Sequence, residues 1–219
     1  MQLCAMVQPA LALYSMNTID FGDLVPASAE KLRAIAHYRR ITRGEAVFRE
    51  GDRYSGPFLV TEGQFKIYML GDDGKEAIMH IFRPGELIAG GPLFLGGDYP
   101  AYCAAMSDGC LVAFEYDRLR KLLVTDDAVN GYFVAQSVRL IPRLKEKIQY
   151  LMLKNAEGRI YAYLKSLGAD KAPIELDIPK NQIAALLDLT PESVSRVCNQ
   201  LVAKGLLEIN GKTYRLREQ

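Results

Sequence analysis

Between residues 41 and 116 the chain breaks direction every few residues, and that rhythm limits the fold more than any other feature. Short runs (AVF, PFLVTEG, QFKIYML, EAIMHIF, CLVAFEY) alternate apolar and polar residues, and the breaks RGE, EGD, GDDGK, RPGE and GGD separate them. A period of two places apolar side chains on one strand face, and glycine supplies the turn conformations between strands. Many short strands at near-regular spacing close into a sandwich or small barrel. Asp72-Asp73-Gly74 between two such runs predicts a hairpin. From about residue 117 the period turns helical, which gives an α+β chain.

SAEKLRAIAH (28–37) predicts a short helix with Ser28 as its N-cap, and YDRLRKLL predicts another. A long helix is expected over 128–153, where Val134, Ser137, Ile141, Leu144, Ile148 and Leu151 recur at alternating spacings of three and four. So narrow a seam is sized for one partner helix, which points to a homodimer; the alternative is a stripe packed on its own domain. Pro142 lacks a backbone N–H and predicts a kink or a restart.

The last forty residues hold the most specific pattern. KNQIAALL (180–187) reads as a short amphipathic helix, Asp188-Leu189 as a turn, and Thr190-Pro191 as the start of a second helix. Threonine caps the first turn with its hydroxyl, and proline at the first position gives up an N–H that had no partner there. Val194, Val197, Cys198 and Leu201 take the inward spacings, so Glu192, Ser195, Arg196 and Asn199 face out. A helix, a tight turn and a second helix with a polar N-terminal end form the helix-turn-helix pattern that reads the major groove. Arginine donates to guanine, glutamate accepts from cytosine, and serine reaches bases or phosphates. The competing reading pairs Glu192 with Arg196 on a solvated face. GLLEINGKTYRL then predicts a wing hairpin over a type I′ turn at Asn210-Gly211, with Lys204, Lys212, Arg215 and Arg217 as phosphate contacts. Thr190, Ser193, Asn199, Lys180 and Lys212 complete the predicted DNA-facing set.

Charge follows the same division. Residues 1–128 carry 13 Lys/Arg against 17 Asp/Glu, a net −4; residues 129–219 carry 14 against 9, a net +5. A basic rear half suits an anionic partner. Cys4, Cys103, Cys110 and Cys198 show no metal spacing and read as reduced thiols. The opening stretch MQLCAMVQPALALYSM lacks a basic leader and is too short and interrupted to span a bilayer, so a cytoplasmic protein is expected. Two histidines 43 residues apart, with no nucleophile motif or phosphate loop, argue against a cupin-like enzyme.

Taken together, RGEAVFREGD, FLVTEGQFKIYML, DDGKEAIMHIFRPGE, FLGGD, AEGRIYAYL and the C-terminal pattern resemble the catabolite-activator/Fnr (Crp/Fnr) family of bacterial regulators over nearly the whole chain. The resemblance implies a cyclic-nucleotide-binding-like β-roll (a double-stranded β-helix or jelly roll) over 1–127, a dimerisation helix over 128–155, and a winged helix-turn-helix over 156–219. Glu192, Ser195 and Arg196 match the Glu-x-x-Ser-Arg pattern of the Fnr branch, which implies palindromic sites with TTGAT-like halves. RNA polymerase is the further partner implied. Asp188 departs from a turn position often held by glycine; aspartate tolerates the left-handed conformation, so mild strain is expected.

The same resemblance places an effector in the β-roll. Where cyclic nucleotide binders carry a ribose-binding Glu, this chain has Ala89-Gly90-Gly91; where they carry a phosphate-binding Arg, it has Pro100-Ala101-Tyr102. A buried phosphate without a cation is unfavourable, which argues against cyclic AMP. A single N-terminal cysteine, Cys4, argues against the family's iron–sulfur cluster. LKNA and YPAYCAA are similar to the haem-dependent, nitric-oxide-sensing Dnr/HcpR regulators of nitrosative stress. That likeness makes Met69, His80, Gly90, Gly91, Tyr99, Tyr102 and Cys103 the predicted effector pocket, with His80 and Met69 as candidate haem ligands, ahead of Met79, His37 and Cys103. An apolar small molecule is the alternative, and a catabolite-activator-type cyclic-nucleotide regulator is the runner-up.

Overall fold

The computed structural model describes residues 21–22, 24–153 and 155–217, and the chain divides into two units. The first holds the described residues up to Ile67 together with Ile81–Leu140; the second holds Tyr68–His80 and the residues from Ile141 onward. The cysteine expected near the start, Cys4, lies outside the described residues.

In the first unit, helix α1 (Pro26–Arg33) leads into strands β1 (Ala36–Ile41), β2 (Ala46–Phe48), β3 (Phe58–Glu62), β4 (Phe65–Leu70), β5 (Glu76–Phe82) and β6 (Leu87–Ile88). The one-turn helix α2 (Gly91–Leu95) follows, then β7 (Tyr102–Ala105), β8 (Gly109–Phe114), α3 (Tyr116–Thr125) and α4 (Asp127–Val138). Two four-stranded sheets form, in the orders β1-β8-β3-β6 and β2-β7-β4-β5. Tyr68–His80, the hairpin end of β4 and β5, groups with the second unit.

Strand β3 shows why alternation was only part of the signal. Phe58, Leu59 and Val60 are all buried, because both faces of this sheet are covered. On one face Phe58 stacks against Phe48 of the other sheet at 5.9 Å; on the opposite side Phe114 of β8 meets Phe133 of α4 edge-on at 5.3 Å. Gly56 (φ +133°) is required where β3 approaches β8, since a Cβ there would stand 1.8 Å from the Phe114 carbonyl oxygen.

Helix α1 is shorter than the sequence predicts and starts earlier. Pro26 occupies its first turn, and the chain leaves the helix at Ala34 to pair Ala36 with Phe114 in the sheet. His37, expected at a helix end, therefore sits in β1 opposite Ala113. The apolar spacing of Ile35 and Ala36 serves the sheet core rather than a helix face. Ser28 does not cap the helix: its hydroxyl donates to both Asp126 carboxylate oxygens at 2.9 Å. Asp126 also caps α4 by accepting from Val129 N at 3.2 Å and from Lys31 Nζ at 2.7 Å. These bonds, that of Lys31 foremost, hold its carboxyl down to about 2.

The long helix expected over 128–153 restarts near Pro142, as that proline predicts, and is two helices. The segment from α4 is interrupted at Arg139, and α5 (Leu140–Leu153) restarts with Pro142 in its first turn, where a missing N–H costs nothing. Val134 and Val138 on α4 are exposed, as are Ile141 (61%), Ile148 (55%) and Met152 on α5; Leu144 and Leu151 are half-buried.

The second unit continues with α6 (Ala156–Ser166), capped by Asn155 Oδ1 accepting from Gly158 N at 2.9 Å, then β9 (Ile174–Glu175), α7 (Lys180–Leu187), α8 (Pro191–Ala203), β10 (Leu207–Asn210) and β11 (Thr213–Leu216). The last two strands and β9 form a sheet in the order β10-β11-β9. Ile160 and Leu164 of α6, Ile183 and Leu187 of α7, Val194 and Leu201 of α8, and Leu207 and Leu216 of the sheet are buried as the core of this unit. No helix among the described residues is long and apolar enough to cross a membrane.

Candidate nucleic-acid interface

Helix α8 owes its position to its first three residues. Thr190 is extended (φ −89°, ψ 153°), its Oγ1 accepts from Ser193 N at 3.2 Å, and Pro191 takes the first helical position. The inner face of α8 is Val194, Val197, Cys198 and Leu201, all buried, and burial pushes the Cys198 thiol up. The outer face carries Glu192, Arg196 and Asn199 exposed, with Ser193 and Ser195 half-exposed. Glu192 and Arg196 stand one turn apart, yet no ion pair joins them. The Glu192 carboxyl is held below its usual range by its own backbone N–H and by the Thr190 hydroxyl. Its negative end thus rests on the helix N-terminus, where the unpaired amides and the helix dipole favour an anion.

The turn between α7 and α8 is left-handed at Asp188 (φ 54°, ψ 53°), the conformation that a glycine would adopt without a Cβ penalty. The Asp188 and Leu187 carbonyl oxygens accept from Arg159 Nη1 of α6, each at 3.2 Å, and the Asp188 carboxylate lies 3.8 Å from the same nitrogen. In the sequence Arg159 sits in an ordinary helical run. Its partners stand 28 and 29 residues along the chain, and no local pattern marks such a link.

The wing differs from its predicted turn by one residue. Asn210 pairs with Thr213, so Gly211 and Lys212 make the loop, and of these only Gly211 has positive φ (+61°). That is the type II′ pattern rather than I′. On its other edge β11 pairs with β9, Thr213 opposite Glu175. Of the predicted phosphate contacts, Lys204 bonds the Glu157 carboxylate at 2.8 Å and Arg217 bonds Glu208 at 2.6 Å. Lys180, Lys212 and Arg215 are exposed and take part in no ion pair among the described residues.

The seven predicted pocket residues divide between the units: Met69 and His80 fall in the second, the other five in the first. Met69 is 44% exposed, a poor setting for an axial ligand in a dry haem slot, whereas His80 is half-buried. Gly90 and Gly91 open α2 after Ala89, which has positive φ (57°). A Cβ on Gly90 would land 2.4 Å from Ser137 Oγ of α4, so no larger residue enters there without displacing that hydroxyl. Tyr99 is 2% exposed: its ring stacks on Phe48 at 3.9 Å and its hydroxyl donates to the Gly56 carbonyl at 2.8 Å. Tyr102 is half-buried, and Cys103, fully buried opposite Phe48, has its thiol pushed up by burial. Among the described residues no three His, Cys, Asp or Glu side chains gather as a metal site.

Residues 38–126 match the family model of the cyclic nucleotide-binding domain, and residues 158–218 match that of the Crp-like helix-turn-helix domain. The chain is 30% identical over 188 residues to the transcriptional activator protein FnrA of Stutzerimonas stutzeri, covering 81% of this chain and 75% of that one. It is 26% identical over 199 residues to the cyclic AMP receptor protein of Thermus thermophilus, covering 90% and 92%. Among solved structures it resembles the c-di-GMP responsive global regulator CLP of Xanthomonas campestris with a TM-score of 0.75 at 25% identity, over 88% of this chain and 99% of that one. FixK2 from Bradyrhizobium japonicum shares the fold at a TM-score of 0.74 and 23% identity, over 84% and 93%.

Proposed function

Because this chain belongs to the Crp/Fnr family of transcription regulators, with a cyclic nucleotide-binding-type domain and a Crp-like helix-turn-helix domain, we propose that it works as a homodimer on palindromic DNA with TTGAT-like half-sites. Its relatives are regulators and not enzymes, so the cupin-like alternative falls. The observation that carries the DNA reading is the outer face of α8. There Glu192 and Arg196 project from a Thr190-capped end without neutralising each other, and Ser195 stands beside them. This acid, hydroxyl and guanidinium follow the Fnr-type spacing and supply an acceptor for cytosine, an adaptable donor and a fork for guanine. Lys180, Lys212 and Arg215 supply phosphate contacts, so binding falls steeply with salt.

The dimer forms along the exposed apolar residues of α4 and α5, and the pair of recognition helices meets half-sites about one DNA turn apart. A small effector other than cyclic AMP acts in the β-roll. Two features support this: the stretch Pro100-Ala101-Tyr102, where the resemblance expects a phosphate-binding Arg, offers no cation, and Ala89-Gly90-Gly91, where it expects a ribose-binding Glu, offers no carboxylate. Of the two candidate haem ligands, the half-buried His80 has the more sheltered setting and Met69 the more exposed one. RNA polymerase is the protein partner, and the regulator acts in the cytoplasm, where its DNA is.

The test is fluorescence anisotropy of the full chain on a labelled TTGAT palindrome and on a scrambled duplex of the same composition. Preference for the palindrome by a factor of about 10³ or more is expected at physiological salt. Equal affinities would defeat the reading.

A further inference from the structure

The tie between α6 and the turn before α8 has a second end. Arg159 Nη2 donates to the Leu151 carbonyl in the last turn of α5 at 3.0 Å, while Nη1 serves Leu187 and Asp188. The final carbonyls of a helix have no partner within it, and a cation near them is favoured by the dipole as well. One guanidinium therefore caps two helix ends at once, α5 and α7, from a side chain only 18% exposed. Asp188 supplies the counter-charge at 3.8 Å. Its charge also reaches Lys147 of α5, whose Nζ donates to the Ile78 carbonyl of β5; burial pushes that ammonium down to about 8, and Asp188 opposes the shift. The left-handed turn and the last turn of α5 are thus joined through one guanidinium.

We infer that Arg159 is a positioning residue for DNA reading: by joining the last turn of α5 to the end of α7 it fixes the direction in which α8 leaves its turn. The inference rests on the proposed DNA function and adds the residue through which the outer face of α8 is aligned. It also accounts for aspartate where glycine would be at ease, since glycine has no carboxylate to offer the guanidinium. A planar fork with donors on two nitrogens can serve both helix ends together, whereas an ammonium on a single carbon cannot span them in the same way.

The experiment compares the full-length wild type with Arg159→Lys and Arg159→Ala by amide hydrogen exchange and by anisotropy on the palindromic and scrambled duplexes. In Arg159→Ala, exchange is expected to quicken both at residues 150–153 and at 187–193, with β3 and β8 unchanged. Affinity for the palindrome should fall about tenfold to a hundredfold, while affinity for scrambled DNA changes less than about twofold. Arg159→Lys should restore protection at one helix end only, with an intermediate loss of specific affinity. Unchanged exchange at 187–193, or undiminished preference for the palindrome, would overturn the inference. A wild-type protein that itself fails to prefer the palindrome sinks the DNA reading instead, and the exchange at the two helix ends still decides whether Arg159 links them.

Discussion

The Tyr54 hydroxyl donates to the carbonyl oxygen of Ala89 at 2.8 Å, and Ala89 is one of two non-glycine residues with positive φ among the described residues, the other being Asp188. Tyr54 thus holds the backbone in an uncommon conformation immediately before Gly90 and α2, within an aromatic group that includes Tyr99 and Tyr116. Burial pushes the Tyr54 phenol well above its ordinary range, so it stays a donor at every working pH. Tyr54→Phe leaves that carbonyl without its partner and is expected to cost about 1–3 kcal/mol, measured by urea denaturation. A midpoint equal to wild type would show that the turn holds itself.

At the DNA face, Arg196→Ala should weaken binding to the palindrome by about 1–3 kcal/mol and relax preference at one base pair of each half-site. Lys212→Ala should instead weaken all duplexes alike and reduce the salt slope by about one. Binding measured across a salt series and a set of single-base variants separates the two.

Ile148 is exposed in the single chain, on the helix proposed to meet its twin. Ile148→Glu places like charges in that interface and should yield a monomer by analytical ultracentrifugation. A two-half-site duplex would then be bound no better than a single half-site. A variant that still sediments as a dimer would move the interface elsewhere.

Asp126 predicts an acid limit. Its folded-state carboxyl lies near 2 against an ordinary 3.8, so its ties to Lys31, Ser28 and Val129 are fully present above about pH 4 and lost as pH falls toward 2. Melting temperature followed from pH 6 to 2 should drop more steeply in wild type than in Asp126→Asn, whose curve starts lower and lies flatter in that window.

Calorimetry with cyclic AMP should give no heat of binding at micromolar ligand. Micromolar affinity would return the chain to the catabolite-activator type of regulator.

The parts legible in the sequence are those whose causes are local. Thr190-Pro191 announces α8 because a cap and a first-turn proline act within four residues, and the inward spacing of Val194 to Leu201 fixes its buried face. Period two marked the strands, though it did not reveal that Phe58–Val60 would be covered on both sides. Ile35-Ala36 looked helical because apolar spacing does not state which neighbour it serves; pairing with Phe114 decided that. The wing turn lies one residue beyond Asn210-Gly211, because Asn210 pairs with Thr213 in the ladder and leaves Gly211, with positive φ, to open the loop. Ser28 and Asp126 stand 98 residues apart, and Arg159 reaches 28 residues forward and 8 back, so only the folded chain shows those unions.

The buried thiol of Cys198 has one more consequence. It lies on the hidden side of the very rod whose open side faces outward, and it stays protonated there. Chemical labelling at that sulfur therefore waits for the rod to lift from its bed. The chain carries its own stopwatch for how long the recognition helix remains seated, and any cargo that clamps the helix down will slow the hand.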